Sequence, residues 1–238
     1  MPPVTGLTRT DEKFNCADGF PMNAYFTRPA ASGQVPGLLF IYEVFGLGAE
    51  MKRLADELAV EGYAVLVPNL FDRGSWFSCV KKLMHELKTG SAQGVQDLIQ
   101  ARHWLAGRSF VDPKRIAVMG LCMGGGFALL LAKTGLFRVS APFYGAVPEK
   151  LEGICPVVAS YGGKDRRLAK DAERLAKELP ALGIPYDMKI YPQVGHGFMN
   201  RRPNIFLTLL ARAGNIDYDP DAAADAKGRL IRFLGEHL

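Results

Sequence analysis

The chain has 238 residues, 48% of them hydrophobic and 22% charged, with a formal net charge of +5 at pH 7. That composition supports a full buried core, and no run of about eighteen apolar residues offers a membrane span. The 29 Lys and Arg are interspersed with 24 Asp and Glu, which argues against nucleic-acid binding and favours small, anionic molecules as partners.

The opening stretch "MPPVTGLTRTDEKF" lacks the apolar core of a secretory signal, so a cytoplasmic location is expected. Cys16, Cys79, Cys122 and Cys155 lie far apart with no CxxC or Cys/His pairing. Neither a metal site nor a disulfide framework is expected from them. No repeat, low-complexity segment or composition break marks a linker, so residues 1–238 are read as one domain.

Along the chain, "KFNCADGFPMNAYFTRP" predicts a hairpin turning at Asp18-Gly19. "PGLLFIY" is an apolar run of the buried-strand type, followed by a helical pattern over Ala49–Glu61 and the strand "YAVLVP". Helical stretches over Ser78–Thr89 and Ala92–Ala106 precede the strand "RIAVM" and a glycine-rich turn. "RVSAPFYG", "CPVVASYGG" and "YDMKIYP" read as strands, and Ala169–Leu182 and Asp221–Leu238 as helices. Strands alternating with helices predict an α/β fold with a mainly parallel sheet covered by helices on both faces. Ligands of such sheets bind at the carboxyl ends of the strands.

The glycine turn, "GLCMG" over residues 120–124, has the spacing of a nucleophile elbow with cysteine at its centre. An elbow would lift the Cys122 thiol to the mouth of a helix, where backbone N–H groups and the helix dipole favour thiolate. The Met123 N–H is then placed to donate to a developing oxyanion. Read alone, the motif also fits a small apolar residue in a tightly packed turn. Its partners strengthen the chemical reading. "SYGGKDRRL" ends one strand with Asp165 and "YPQVGHGFMN" ends the next with His196, in the chain order nucleophile, acid, histidine. His196 would take the thiol proton and Asp165 would hold its tautomer. Asp171, with the look of a helix N-cap, and Asp187, within a strand, are the competing acids. His85, His103 and His237 fall in helical patterns and read as surface or packing residues.

On "GLCMGG", "GGKD", "GHGF" and the earlier "IYEVFGL", the sequence resembles the dienelactone hydrolases, α/β-hydrolase-fold enzymes with a Cys-His-Asp triad. The likeness runs over nearly the whole chain. It implies that Glu43 bonds the resting thiol and releases it when substrate binds, and that the Val44 N–H is the second oxyanion donor. It also implies that arginines hold a substrate carboxylate: Arg73 in "VPNLFDRG", and a second shortly after the histidine. There the nearest basic residue, Arg201, falls one position later than the family pattern, beside Arg202. Tyr144, Trp76, Phe77 and Phe198 are candidate pocket walls.

The expectation is therefore a cysteine-dependent hydrolase of an ester or lactone, most specifically a carboxylated enol-lactone from aromatic-compound degradation, needing no metal or organic cofactor. A carboxylesterase of broader acyl range is the alternative within the class. A thiol redox or binding protein on the same scaffold is the alternative outside it.

Overall fold

A computed structural model describes residues 6–30, 33–89, 93–201 and 218–238. The strands β1 (Leu7–Asn15), β2 (Pro21–Pro29), β3 (Val35–Ile41), β4 (Ala64–Pro68), β5 (Val111–Leu121), β6 (Val139–Phe143), β7 (Val157–Gly162) and β8 (Tyr186–Tyr191) form one sheet. Its spatial order is β1-β2-β4-β3-β5-β6-β7-β8, antiparallel through β1, β2 and β4 and parallel from β4 to β8. The helices are α1 (Ala49–Val60), α2 (Trp76–Thr89), α3 (Gln93–Ala106), α4 (Met123–Ala132), α5 (Ala169–Glu178) and α6 (Pro220–His237).

Burial explains why these segments are strands. Residues Pro36 to Ile41 of β3 and every residue of β4, β6 and β7 are buried, so successive side chains on both faces meet protein. A continuous apolar run is the signature of a parallel strand covered on both sides. The outer strands β1 and β8 carry exposed polar positions instead, which suits sheet edges. Helix α4, "MGGGFALLLA", is buried on nearly every side, and packs on β3, β5 and β6 at the middle of the sheet.

Some boundaries differ from the sequence reading. Strand β1 starts at Leu7, well before the hairpin turn, because it pairs with β2 along its whole length. The expected helix over Ala169–Leu182 becomes α5 followed by a 3₁₀ turn, Leu179–Leu182. Pro180 has no N–H to continue the helix, and Gly183 then turns the chain at φ +66°. Ala92 and Arg202 lie outside the described residues. Among the described residues no helix is long and apolar enough to cross a membrane.

The sheet brings chemistry to one edge. Glu43 follows β3, Cys122 follows β5, Tyr144 follows β6, Asp165 follows β7 and His196 follows β8. All five strands are mutually parallel, so these residues share the carboxyl edge.

Candidate active site

Cys122 sits between β5 and α4 with φ +54° and ψ −113°. Among the described residues it shares positive φ outside glycine only with Tyr144, φ +38°, at the end of the neighbouring strand. Such a conformation is held only where the surroundings over-determine it. Here they do: the Cys122 N–H donates to the Phe143 carbonyl at 3.0 Å, and its own carbonyl accepts from the Gly126 N–H at 3.2 Å. The flanking glycines are required by close approach. A Cβ on Gly120 would strike the Gly124 carbonyl, and one on Gly124 would strike the Ile41 carbonyl. The same approach brings Ile41, at the end of β3, and the following Tyr42 against the start of α4.

His196 and Asp165 are both buried, and His196 Nδ1 lies 2.5 Å from Asp165 Oδ2. The second carboxylate oxygen accepts the backbone N–H of Arg167 at 3.2 Å. Burial alone would lower the His196 pKa, but the hydrogen bond to Asp165 and the neighbouring Cys122 outweigh it and push the imidazole up to about 9. Burial would raise the Asp165 carboxyl; the bond and charge of His196 outweigh this and hold it below its ordinary value. Tyr144 presses its ring edge-on to His196 with centroids 5.0 Å apart, limiting how the imidazole can tilt.

Cys122, His196 and Tyr144 line one cleft of about 170 Å³, together with Met84, Leu87, Met123, Ala146, Leu168 and Arg167. Its lining is mainly apolar, with Cys122, His196, Arg167 and Tyr144 as the residues that carry polar groups. The Met123 N–H opens α4 and so has no acceptor within the helix. Val44 lies in a turn closed by the Gly46 N–H to the Glu43 carbonyl at 3.0 Å. The Trp76 indole N–H grips that turn from outside, donating to the Val44 carbonyl at 2.7 Å. Glu43 is buried at 6% exposure.

The competing acids are committed elsewhere. Asp187 takes the Arg229 guanidinium at 2.6 Å, part of the network that ties α6 to β7 and β8. Asp171 is not an N-cap: α5 begins two residues before it, at Ala169, and its carboxylate accepts the Val147 N–H at 3.3 Å. His85, His103 and His237 lie on α2, α3 and α6. All four cysteines are free, and burial pushes the thiols of Cys16 and Cys155 up to about 11 and 12, away from reactivity.

The expected carboxylate clamp is not assembled at this cleft. Arg73 spends its guanidinium on Asp97, at 2.6 and 2.7 Å, and on Asp18, at 2.9 and 3.0 Å, and stacks on the Phe20 ring. Asp97 is 2% exposed, so a buried carboxylate captures the cation before any substrate can. Cys16, Asp18 and Asp97 lie close enough together to surround an ion, but Arg73 already bridges the two carboxylates. Arg201 borders a different cleft, with its guanidinium over the Tyr218 ring. Phe198 is core: it is fully buried between Tyr144 and Tyr191, with centroids 5.2 and 5.3 Å away. Trp76 and Phe77 are 52% and 71% exposed and do not line the cleft, since both open α2 on its outer side. Leu87, Leu168 and Arg167 do line it, and none carries a local motif that marks it.

This assignment of Arg73 has a measurable consequence. Arg73→Met is expected to lower unfolding free energy by about 3–5 kcal/mol, because it strands the buried Asp97 carboxylate. Urea denaturation measures the loss, and a change under about 1 kcal/mol would contradict the pairing.

Comparison with known proteins agrees with the architecture. A protein of Yersinia pestis provisionally named carboxymethylenebutenolidase is 27% identical, over 93% of this chain and 86% of its own. A provisionally named dienelactone hydrolase of Klebsiella pneumoniae superposes with TM-score 0.80 at 24% identity, over 98% of this chain and all of the other. A dienelactone hydrolase-like promiscuous phosphotriesterase from metagenomic libraries superposes with TM-score 0.84 at 22% identity, over 98% and 99% of the two chains. The sequence model of the dienelactone hydrolase family matches residues 22–238. With that match covering all but the first strand and its turn, the chain belongs to the dienelactone hydrolase family and is a hydrolase.

Proposed function

We propose that this chain hydrolyses esters or lactones through a thioester on Cys122, with His196 and Asp165 as the proton-handling pair. The observation that carries the reading is the convergence of a half-buried thiol on a strained turn with a histidine that bonds a buried carboxylate, at one mainly apolar cleft. Cys122 Sγ attacks the acyl carbon, and the carbonyl π electrons move onto oxygen. The N–H groups of Met123 and Val44 receive that oxyanion. Collapse expels the alkoxide or enolate, which takes the proton His196 has accepted from the thiol. Water then attacks the thioester, giving its proton to His196, and the carboxylic acid leaves as the thiol is restored. Asp165 keeps the imidazole in the tautomer this shuttle needs. Glu43 is proposed to hold the thiol until substrate displaces it.

Steady-state turnover of p-nitrophenyl butyrate and of a carboxylated enol-lactone tests this, with intact-mass detection of an acyl adduct on acid-quenched enzyme. Turnover with an adduct mapped to Cys122 supports the reading. No turnover, with a Cys122 that is oxidised readily by peroxide, would instead support a thiol redox protein.

The Trp76 bond to the Val44 carbonyl offers a further check. Trp76→Phe keeps an aromatic ring, though a smaller one, and loses the N–H, so the oxyanion turn loses its outer tether. A fall in kcat of about three- to tenfold with KM little changed is expected, since the lost alignment acts on the transition state. A change confined to KM would assign Trp76 to substrate contact instead.

A further inference from the structure

We infer that the substrate is an ester or lactone with an extended hydrocarbon arm, which runs from the cleft at Cys122 into a second cleft beside it; this rests on the hydrolase reading above. The cleft at Cys122 holds about 170 Å³, less than the roughly 300–1,000 Å³ of a typical ligand site. A second cleft of about 570 Å³ shares Met84, Leu87 and Ala146 with it, so the two meet at those three residues. Together they fall within the typical range.

The second cleft suits hydrocarbon. Leu130 of α4, and Val147 and Pro148 after β6, extend the apolar lining that the shared residues begin. Lys88, Glu149 and Lys150 are exposed, so charges of both signs reach water at its border and neither sign dominates. The lysine stems add further apolar surface beneath their ammonium groups. The backbone along one wall is already bonded. The Tyr161 hydroxyl donates to the Gly145 carbonyl at 2.8 Å, and the Arg174 guanidinium to the carbonyls of Val147 and Pro148 at 2.6 and 2.9 Å. The Val147 N–H donates to Asp171 at 3.3 Å. A peptide lying along this wall would find those groups taken, whereas a hydrocarbon chain asks for none of them.

The lining also sets a length. Helix α2 contributes residues from Met84 to Thr89, about 7–8 Å of helix at ~1.5 Å per residue. At the ~1.2 Å per bond of an extended chain, that is room for about six carbons. Leu87 lies low at the crossing, since its Cδ2 would stand only 2.9 Å from a Cβ on Gly126. The bare glycine lets the leucine settle onto α4.

Two ester series test this: p-nitrophenyl esters from butyrate to decanoate, and alkyl butyrates from ethyl to octyl, all kept below their aggregation concentrations. A rise in kcat/KM of about twofold per methylene is expected in at least one series, mostly through KM. A rise in the first places the arm on the acyl side, and a rise in the second places it on the alcohol side. Leu130→Gln puts an amide on the second cleft alone and is expected to shrink the long-to-short ratio by about tenfold. Met84→Gln, at a position 37% exposed where folding is not at stake, is expected to shrink it as well. Because each reading is a ratio, the fraction of enzyme that is folded cancels. Turnover that is flat or falls with length in both series overturns the inference and leaves the hydrolase reading intact. So does a ratio that neither substitution moves, even where both slow short and long esters equally. If wild type turns over none of the esters, the hydrolase reading fails and this inference fails with it.

Discussion

Cys122→Ala is expected to lose ester turnover by on the order of 10³-fold or more, and to form no acyl adduct. The size of the loss follows from what the residue would do. If the thiol is the nucleophile, no neighbouring group can take its place: the other three cysteines lie outside the cleft, and burial holds two of them protonated. If Cys122 only fills a tight turn, alanine would keep the wild-type rate, since both side chains are small. Folding is a separate question and has its own control. The elbow is held by the hydrogen bonds of the Cys122 backbone and by the glycines at 120 and 124, not by the thiol. Cys122→Ala and Cys122→Ser are therefore expected to keep the wild-type circular dichroism spectrum and to stay within about 1–2 kcal/mol of its stability. A rate within tenfold of wild type for Cys122→Ala would remove the nucleophile assignment.

The features legible in the sequence are those that backbone and burial impose locally. Central strands such as "LLFI" and "VVASYG" are buried on both faces, and that requires an uninterrupted apolar run visible without any partner. The elbow was legible because Gly120 and Gly124 answer a close approach that no other residue allows. Asp165 and His196 were legible because strand ends punctuate the chain and parallel strands put those ends on one edge. What stayed hidden depended on side chains meeting across the chain. Nothing near Arg73 indicates that Asp18 and Asp97, 55 and 24 residues away, will capture it. Phe198 is near enough to the histidine to suggest a pocket wall, yet Tyr144, just after β6, and Tyr191, at the end of β8, enclose it. Arg167 escaped notice for the converse reason: a pair of arginines beside an acid looks like ordinary surface charge until one of them is found on the cleft.

Asp165→Asn is expected to lower kcat by about 10²- to 10⁴-fold and to move the His196 titration down from about 9. The two effects share one cause. Burial opposes a charged imidazole, and the bond to Asp165, with Cys122 beside the ring, overcomes that opposition. Asparagine removes the negative charge and offers an amide that can hold the wrong tautomer, so burial is left less opposed. The stability consequence has a definite sign. A histidine raised in the folded state above its ordinary 6.5 contributes stability in full below that value, and loses it as pH rises through about 9. The carboxyl of Asp165, held below its ordinary 3.8, contributes stability above that value and loses it in acid. Wild type is therefore expected to exceed Asp165→Asn in stability most clearly between about pH 5 and 6.5. The gap should close as pH approaches 9, where a neutral ring leaves the buried carboxylate weakly partnered, and it should close again below about pH 4. Urea denaturation across pH measures the gap, and histidine NMR reads the titration directly. A gap that widened from pH 6.5 to 9, or a His196 titration unmoved by the substitution, would mean that Asp165 is not what holds the proton on the ring. The other two acids could not then inherit the role without first giving up Arg229 and the Val147 N–H.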